Sequence, residues 1–357
     1  MSARRSRGSG AWMAHRPCAR IRQEIARSNA PGVVPRASER LTWTSRTATI
    51  RRMHDEKGAL GPRANDALHA ERRAAPSPVS DAFVRFAEAA TGEDIDARIQ
   101  GIATHPNALG FDPFGFDPDV ARNVLAFATV LHRLYFRTEV HGIDRIPEGR
   151  VLVVANHSGQ LPLDGVMIGA SLMLDATPPR FPRSMVEKWT AELPFVSTLF
   201  PRAGQVVGSP DNARRLLEQD ESIIVFPEGA KGISKTFEHR YQMTDFGLGF
   251  MRLALETKTP IVPCAVIGAE EQYPSIADVG PLAKLLGMPA FPLIPQLFMG
   301  MLLPLPTKYR LYFGEPMWFE GDPDDDDAVI DDKVDSVKSE IERMLHQGLA
   351  ARQSIFY

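Results

Sequence analysis

Cysteine is nearly absent from this sequence. Two occur in 357 residues, Cys18 and Cys264, too few and too far apart for a disulfide framework or a cysteine-ligated metal site, and in keeping with a reducing compartment. No apolar run of roughly 7–15 residues follows the basic N-terminus, so a secretory signal is not expected. Long hydrophobic runs are equally scarce. One uncharged stretch, residues 285–307, approaches the roughly 20 residues that a spanning helix needs, but Pro289, Pro292, Pro295, Pro304 and Pro306 interrupt it and argue against a single continuous helix. Acidic residues are sparse in the first 80 positions, where 6 Asp/Glu face 16 Lys/Arg, 15 of them arginine, among small residues and few large apolar ones. Such a segment buries too little surface to offset its ordering entropy, so residues 1–80 read as a disordered basic tail. Its charge suits anionic lipid, and no specific nucleic-acid partner is expected. The acidic run GDPDDDDAVIDDKV lacks the glycine and the terminal glutamate of an EF-hand loop. It reads as a solvated linker whose charge favours the N-terminus of the helix after it.

Periodicity and punctuation organise the rest. Residues 81–136 predict three helices, the last opened by Asp117-Pro118, a cap followed by proline at the first helical position. Its aromatic end, LHRLYFR, suits either a lipid interface or packing on the domain core. From residue 137 onward short apolar strands alternate with helices, among them a helix after Ser209 and a C-terminal helix with Val334, Val337, Ile341, Met344 and Leu345 on one face. The alternation predicts an α/β domain over 137–357, a mixed β-sheet flanked by helices.

Two strand ends carry the chemistry. VLVVANHSGQLPLD delivers His157 and Asp164 into one turn, and SIIVFPEG delivers Glu228 into another. Open α/β sheets build sites beyond the carboxyl ends of their strands. Histidine is the side chain whose ordinary pKa lies nearest neutrality, and a neighbouring carboxylate fixes its tautomer. Asp164 is the only acid between His157 and Asp175, so it is the natural partner. No cysteine is near, and no GxSxG elbow surrounds Ser158, which argues against a serine nucleophile. A dyad without a nucleophile suits deprotonation of a substrate hydroxyl. The competing reading makes His157 a strand cap and Asp164 a helix cap. In FPEGAKG, Lys231 and Lys235 follow Glu228 and Gly229, a combination that suits an anion cradle. Arg202 and His239-Arg240 are further cations for that cleft, although Lys235 and Arg240 read more readily as solvated surface.

NHSGQLPLD, then RAGQVVGS with NARRLLEQDESIIVFPEGAKG, then PIVPCAVIGAEE, in this order and spacing, resemble the glycerolipid acyltransferase superfamily, the lysophosphatidic acid acyltransferases and their monoacylglycerol- or diacylglycerol-acyltransferase-like relatives. The resemblance covers about residues 136–316. It implies catalytic roles for His157 and Asp164, acceptor binding at Glu228 and Gly229, and a pocket role for Pro263. Asn156 and Ser158 beside the histidine, Gly204 and Lys231 complete the expected substrate-binding set. It further implies an acyl-CoA or acyl-carrier-protein donor, a glycerolipid acceptor, no metal and no cofactor, and a peripheral or monotopic place on the cytoplasmic face of a membrane, with the 118–136 helix and residues 285–307 dipping into lipid. Two departures stand out. The spacing is His-x6-Asp where His-x4-Asp is commonest in the family, which favours the diacylglycerol-type branch, and FPEGAKG replaces FPEGTR, a point charge for a guanidinium fork. A hydrolase that uses the same dyad, or a non-catalytic lipid-binding protein, are the alternatives.

Overall fold

The computed structural model describes residues 77–102, 112–188, 193–281, 283, 291–298, 300 and 303–357. The expectation of a disordered tail therefore lies, up to residue 76, outside the described residues. Helix α1 (Pro78–Thr91) begins three residues before the expected position, because Ser77 caps it through the Ser80 N–H and Pro78 occupies its first turn. Then come α2 (Ile95–Gln100) and α3 (Pro118–Val130), which continues through a π-turn, Leu131–Tyr135. The αβ alternation follows: β1 (Glu139–His141), β2 (Val151–Ala155), α4 (Leu163–Leu174), β3 (Pro182–Val186), α5 (Val196–Arg202), β4 (Val206–Val207), α6 (Pro210–Glu218), β5 (Ser222–Val225), α7 (Ala230–Ile233), α8 (Gly249–Thr257), β6 (Ile261–Ile267), α9 (Ala269–Gln272), β7 (Ala277–Asp278), β8 (Pro292–Leu293), α10 (Pro295–Phe298), β9 (Arg310–Phe313) and α11 (Asp327–Ala351).

Seven strands form the main sheet in the order β1-β9-β6-β2-β5-β3-β4, while β7 and β8 pair separately. Every neighbour in the main sheet is parallel except β6 against β9, so the sheet is mixed and flanked by helices, as the alternation of elements predicts. The central strand β2 is buried along its whole length, which is why it reads as an unbroken apolar run. Its side chains alternate between two cores. Leu152 and Val154 join Leu216, Leu217, Met251 and the apolar stripe of α11. Val151, Val153 and Ala155 join Met167, Ile168 and Leu172 of α4 with Phe136 and Tyr309. The helices α1 to α3 pack on α4 through Val84, Ala87, Leu125, Ala126 and Met173.

That packing favours the second of the two readings of the LHRLYFR segment, packing on the domain core. The aromatic end of the α3 segment is turned into the domain: Phe136 is fully buried, 4.6 Å from the Tyr309 ring, and the Tyr135 hydroxyl donates to the Pro304 carbonyl. Tyr309, the residue before β9, meets Phe136 just where the π-turn ends. Of residues 285–307, positions 285–290, 299, 301 and 302 lie outside the described residues. The remainder holds β8, the short α10 and exposed Phe298 and Leu303. Among the described residues no helix is long and apolar enough to cross a membrane.

The π-turn also builds in a pH response. His132 is fully buried with Nε2 2.8 Å from the Ser171 hydroxyl, and Nδ1 has no partner among the described residues. Burial, helped by the charge of Arg133, pushes this imidazole from 6.5 down to about 3. Below pH 6.5 the unfolded chain takes up a proton that the folded chain refuses, so stability present above pH 6.5 is lost as pH falls toward 3, by up to about 1.4 kcal/mol per pH unit from this group. His132→Gln should flatten the fall of the thermal midpoint across that window, and an unchanged acid slope would acquit His132.

Candidate active site

The parallel register Val154↔Val225 sets the ends of β2 and β5 side by side, and the turns that leave them carry the site. Asn156 finishes β2 by imitating a strand residue. Its Nδ2 donates to the Val266 carbonyl at 3.1 Å and its Oδ1 accepts the Val266 N–H at 2.8 Å. With both amide atoms engaged by β6, Asn156 anchors the turn.

His157 follows. Its Nδ1 lies 2.7 Å from Asp164 Oδ2, which also accepts the Ser158 N–H at 2.9 Å, while Oδ1 accepts the Gly165 N–H at 2.8 Å. Asp164 is fully buried in the first turn of α4, where the helix N-terminus favours its negative charge. The six residues between the pair form a loop that doubles back, so the longer spacing does not prevent the contact. A carboxylate on Nδ1 places the imidazole proton there and leaves Nε2 as the basic nitrogen. The ring stacks on Phe226, centroids 4.1 Å apart and planes 22° apart, and the residue is 9% exposed. This is a fixed, nearly dry histidine with one basic nitrogen. Ser158 is fully buried and its hydroxyl has no partner among the described residues.

Glu228 is 4% exposed and faces inward. Its Oε1 accepts the His157 N–H at 2.9 Å, and its Oε2 accepts from Thr244 N at 2.8 Å and Thr244 Oγ1 at 3.2 Å and pairs with Lys235 Nζ at 3.4 Å. The resemblance implies acceptor binding for Glu228; in the structure its Oε1 holds the histidine loop while its Oε2 is engaged by Thr244 and Lys235. Glu228→Gln should therefore lower kcat and leave acceptor KM within about threefold. A raised acceptor KM with kcat intact would put Glu228 against the acceptor instead.

The remaining expected residues divide. Gly229 opens α7 beside Glu187, next to the site. Lys231, on the outer side of α7, is exposed. Gly204 lies in the turn before β4, two strands beyond β5 and against the Phe181 ring. Pro263 sits in mid-β6 opposite Val154, its ring against Gly314 and on the face covered by α11. The structure brings neither Gly204 nor Pro263 to the dyad. Proline in a strand interior marks a ladder position that needs no N–H, which accounts for Pro263 without a ligand. Arg202 pairs with Asp117 at 2.8 Å, the cap of α3, rather than reaching the cleft.

Several residues of the site escaped the sequence reading. Lys235, read there as solvated, is buried between Glu228 and Glu270. Phe226 is the platform for the imidazole. Gly232 is pressed against His157, where an added Cβ would lie 2.7 Å from the His157 Cβ and 3.0 Å from that of Glu228. On the other side Gly159, at φ +76°, fits under the Ala269 carbonyl and the Gln272 amide of α9, a close approach open only to glycine. The two glutamates that directly follow the uncharged β6 were the available signal for α9. Among the described residues no group of three or more His, Cys, Asp or Glu is arranged to hold a metal ion.

A mixed αβ sheet carrying the His157–Asp164 pair and Glu228 beyond the ends of β2 and β5 suits an acyltransferase. Residues 137–267 of this chain match the Acyltransferase family. The chain is 34% identical over 355 residues to the uncharacterized protein Rv0502 of Mycobacterium tuberculosis, covering 87% of this chain and 97% of that one. It is 22% identical over 207 residues to the mouse DGAT1/2-independent enzyme synthesizing storage lipids, 58% of this chain and 59% of that protein. Among solved structures, the 1-acyl-sn-glycerophosphate (LPA) acyltransferase of Thermotoga maritima is similar at a TM-score of 0.45 and 20% identity, over 66% of this chain and 82% of that one. A likeness of that size carries nothing about substrate to this chain.

Proposed function

We propose that this chain moves a fatty acyl group from a thioester donor, acyl-CoA or acyl-carrier protein, to a hydroxyl of a glycerolipid such as lysophosphatidic acid, monoacylglycerol or diacylglycerol. The observation that carries the reading is the 2.7 Å contact between His157 Nδ1 and Asp164 Oδ2, which leaves Nε2 to accept a proton. In this reading Nε2 takes the proton of the acceptor hydroxyl as its oxygen attacks the thioester carbonyl. Asp164 stabilises the imidazolium, the tetrahedral intermediate expels the thiolate, and the imidazolium returns the proton to sulfur. A serine nucleophile is unnecessary.

Two further observations support a lipid substrate. An apolar groove lies between α3, α4 and β3, lined by Gly165, Val166, Gly169, Ala170, Met173 and Phe181. Gly165, the residue after Asp164, is among its lining residues. Phe195, Phe298 and Leu303 are 89%, 74% and 64% exposed, apolar groups suited to a peripheral or monotopic position on the cytoplasmic face of a membrane. The name of the mouse relative, together with the loss of the guanidinium fork at Lys231, favours a neutral acylglycerol acceptor over a phosphorylated one. The test is transfer from labelled oleoyl-CoA by membranes containing the protein, with lysophosphatidic acid, lysophosphatidylcholine, monoacylglycerol and diacylglycerol each offered as acceptor. Label entering one acceptor supports transfer and names it. Free oleate alone would make the chain a thioester hydrolase.

A further inference from the structure

Lys235 stands seven residues beyond Glu228, just after α7, and its side chain is 8% exposed. A lysine ammonium this deep is costly unless its donors are engaged. Here Nζ lies 3.4 Å from Glu228 Oε2, 3.1 Å from Glu270 Oε1 and 3.1 Å from the Gln242 carbonyl. The carbonyl of Lys235 itself accepts from Gln160 Nε2 at 3.0 Å, so this residue touches the histidine loop directly as well as through Glu228. Glu270 belongs to α9, the turn that covers Gly159. The histidine loop is thus held from two sides, by Glu228 at the His157 N–H and by α9 at Gly159, and the ammonium of Lys235 ties the two holds together. An ammonium with three protein partners has no donor left to offer a substrate.

We propose that Lys235 is a positioning residue for His157, its ammonium fixing the Glu228 carboxylate so that Oε1 keeps the His157 N–H and the imidazole stays aimed at the acceptor hydroxyl. The proposal rests on His157 acting as the base.

The informative comparison is Glu270→Gln against Lys235→Met/Glu270→Gln in the full chain. Lys235→Met alone would strand two carboxylates in a buried space and risk unfolding. Burial pushes the Glu270 carboxyl up to about 7, with Lys235 opposing, so Glu270→Gln copies a neutral form that the cluster already visits near neutral pH. Removing Lys235 from that background should lower kcat by about 10- to 100-fold, with donor and acceptor KM moving less than about threefold. Backbone amide hydrogen exchange at residues 156–160 should speed up while that of β6 stays as it was. Equal kcat in the two variants overturns the proposal, as does a rise in either KM with kcat unchanged, which would make Lys235 a substrate ligand. A protein that transfers no acyl group in any form defeats the reading of His157 as base; exchange at 156–160 then still decides the hold, and unchanged exchange there overturns it.

Discussion

Replacing His157 with alanine should lower acyl transfer by roughly 10²–10⁴-fold, the range of general-base catalysis, with little loss of fold. The structure separates the two effects. The hydrogen bond that ties this residue to Glu228 is made by its backbone N–H, so it survives removal of the ring. Asp164 keeps its bonds from the Ser158 and Gly165 amides, so the carboxylate is not stranded. What is lost is the stacking on Phe226, the Nδ1 hydrogen bond to Asp164 and the basic nitrogen. The midpoint of thermal unfolding should move by a few degrees, as for a modest ~1 kcal/mol perturbation, while labelled product all but disappears. Transfer within about tenfold of the intact protein, well short of the general-base range, would dismiss His157 as the base.

Gly232→Ala should be a damaging single-methyl change in the site. The added Cβ would meet the His157 Cβ at 2.7 Å and the His157 carbonyl and Glu228 Cβ at 3.0 Å. None of these atoms is the far end of a flexible side chain, so relief requires moving α7 or the histidine loop itself. Overpacking of this kind costs about 1–3 kcal/mol, which a domain of this size can tolerate, whereas a displacement of about 1 Å at a catalytic base can cost roughly 10²-fold in rate. The expected result is a folded protein with kcat down by about that factor. Gly280→Ala is the control, since a Cβ there meets nothing within 4 Å. Full activity in a folded Gly232→Ala variant would mean that α7 yields without disturbing His157.

Local sequence carried most of the secondary structure. The uncharged runs of β2 and β6 mark both strands end to end, and Ser209 caps α6 by accepting the Asn212 N–H at 3.2 Å, as its position before Pro210 predicts. The short elements α7, α9, β7 and β8 escaped notice, because two to four residues are too few to show a period. Helix α8 begins only at Gly249, since residues 244–247 serve the site: Thr244 binds Glu228, and the Gly247 N–H bonds the Pro227 carbonyl.

The dyad was legible because it is local. His157 and Asp164 lie within one loop, with a single acid in range, so chemistry and spacing identify the pair with no knowledge of the fold. The roles of the charges around it were not legible. Lys231 and Lys235 are four residues apart in the same polar turn, yet one is exposed and the other buried, and what separates them is Glu270, 35 residues further on. Glu228 likewise faces inward because Thr244 and the His157 amide receive it there. The sequence by itself determined the order of elements, the apolar faces and the dyad, all of which depend on neighbours within a turn or a strand. Only the tertiary structure decided which charges are buried and whom they serve, because a buried charge is tolerated only where partners from distant segments converge on it.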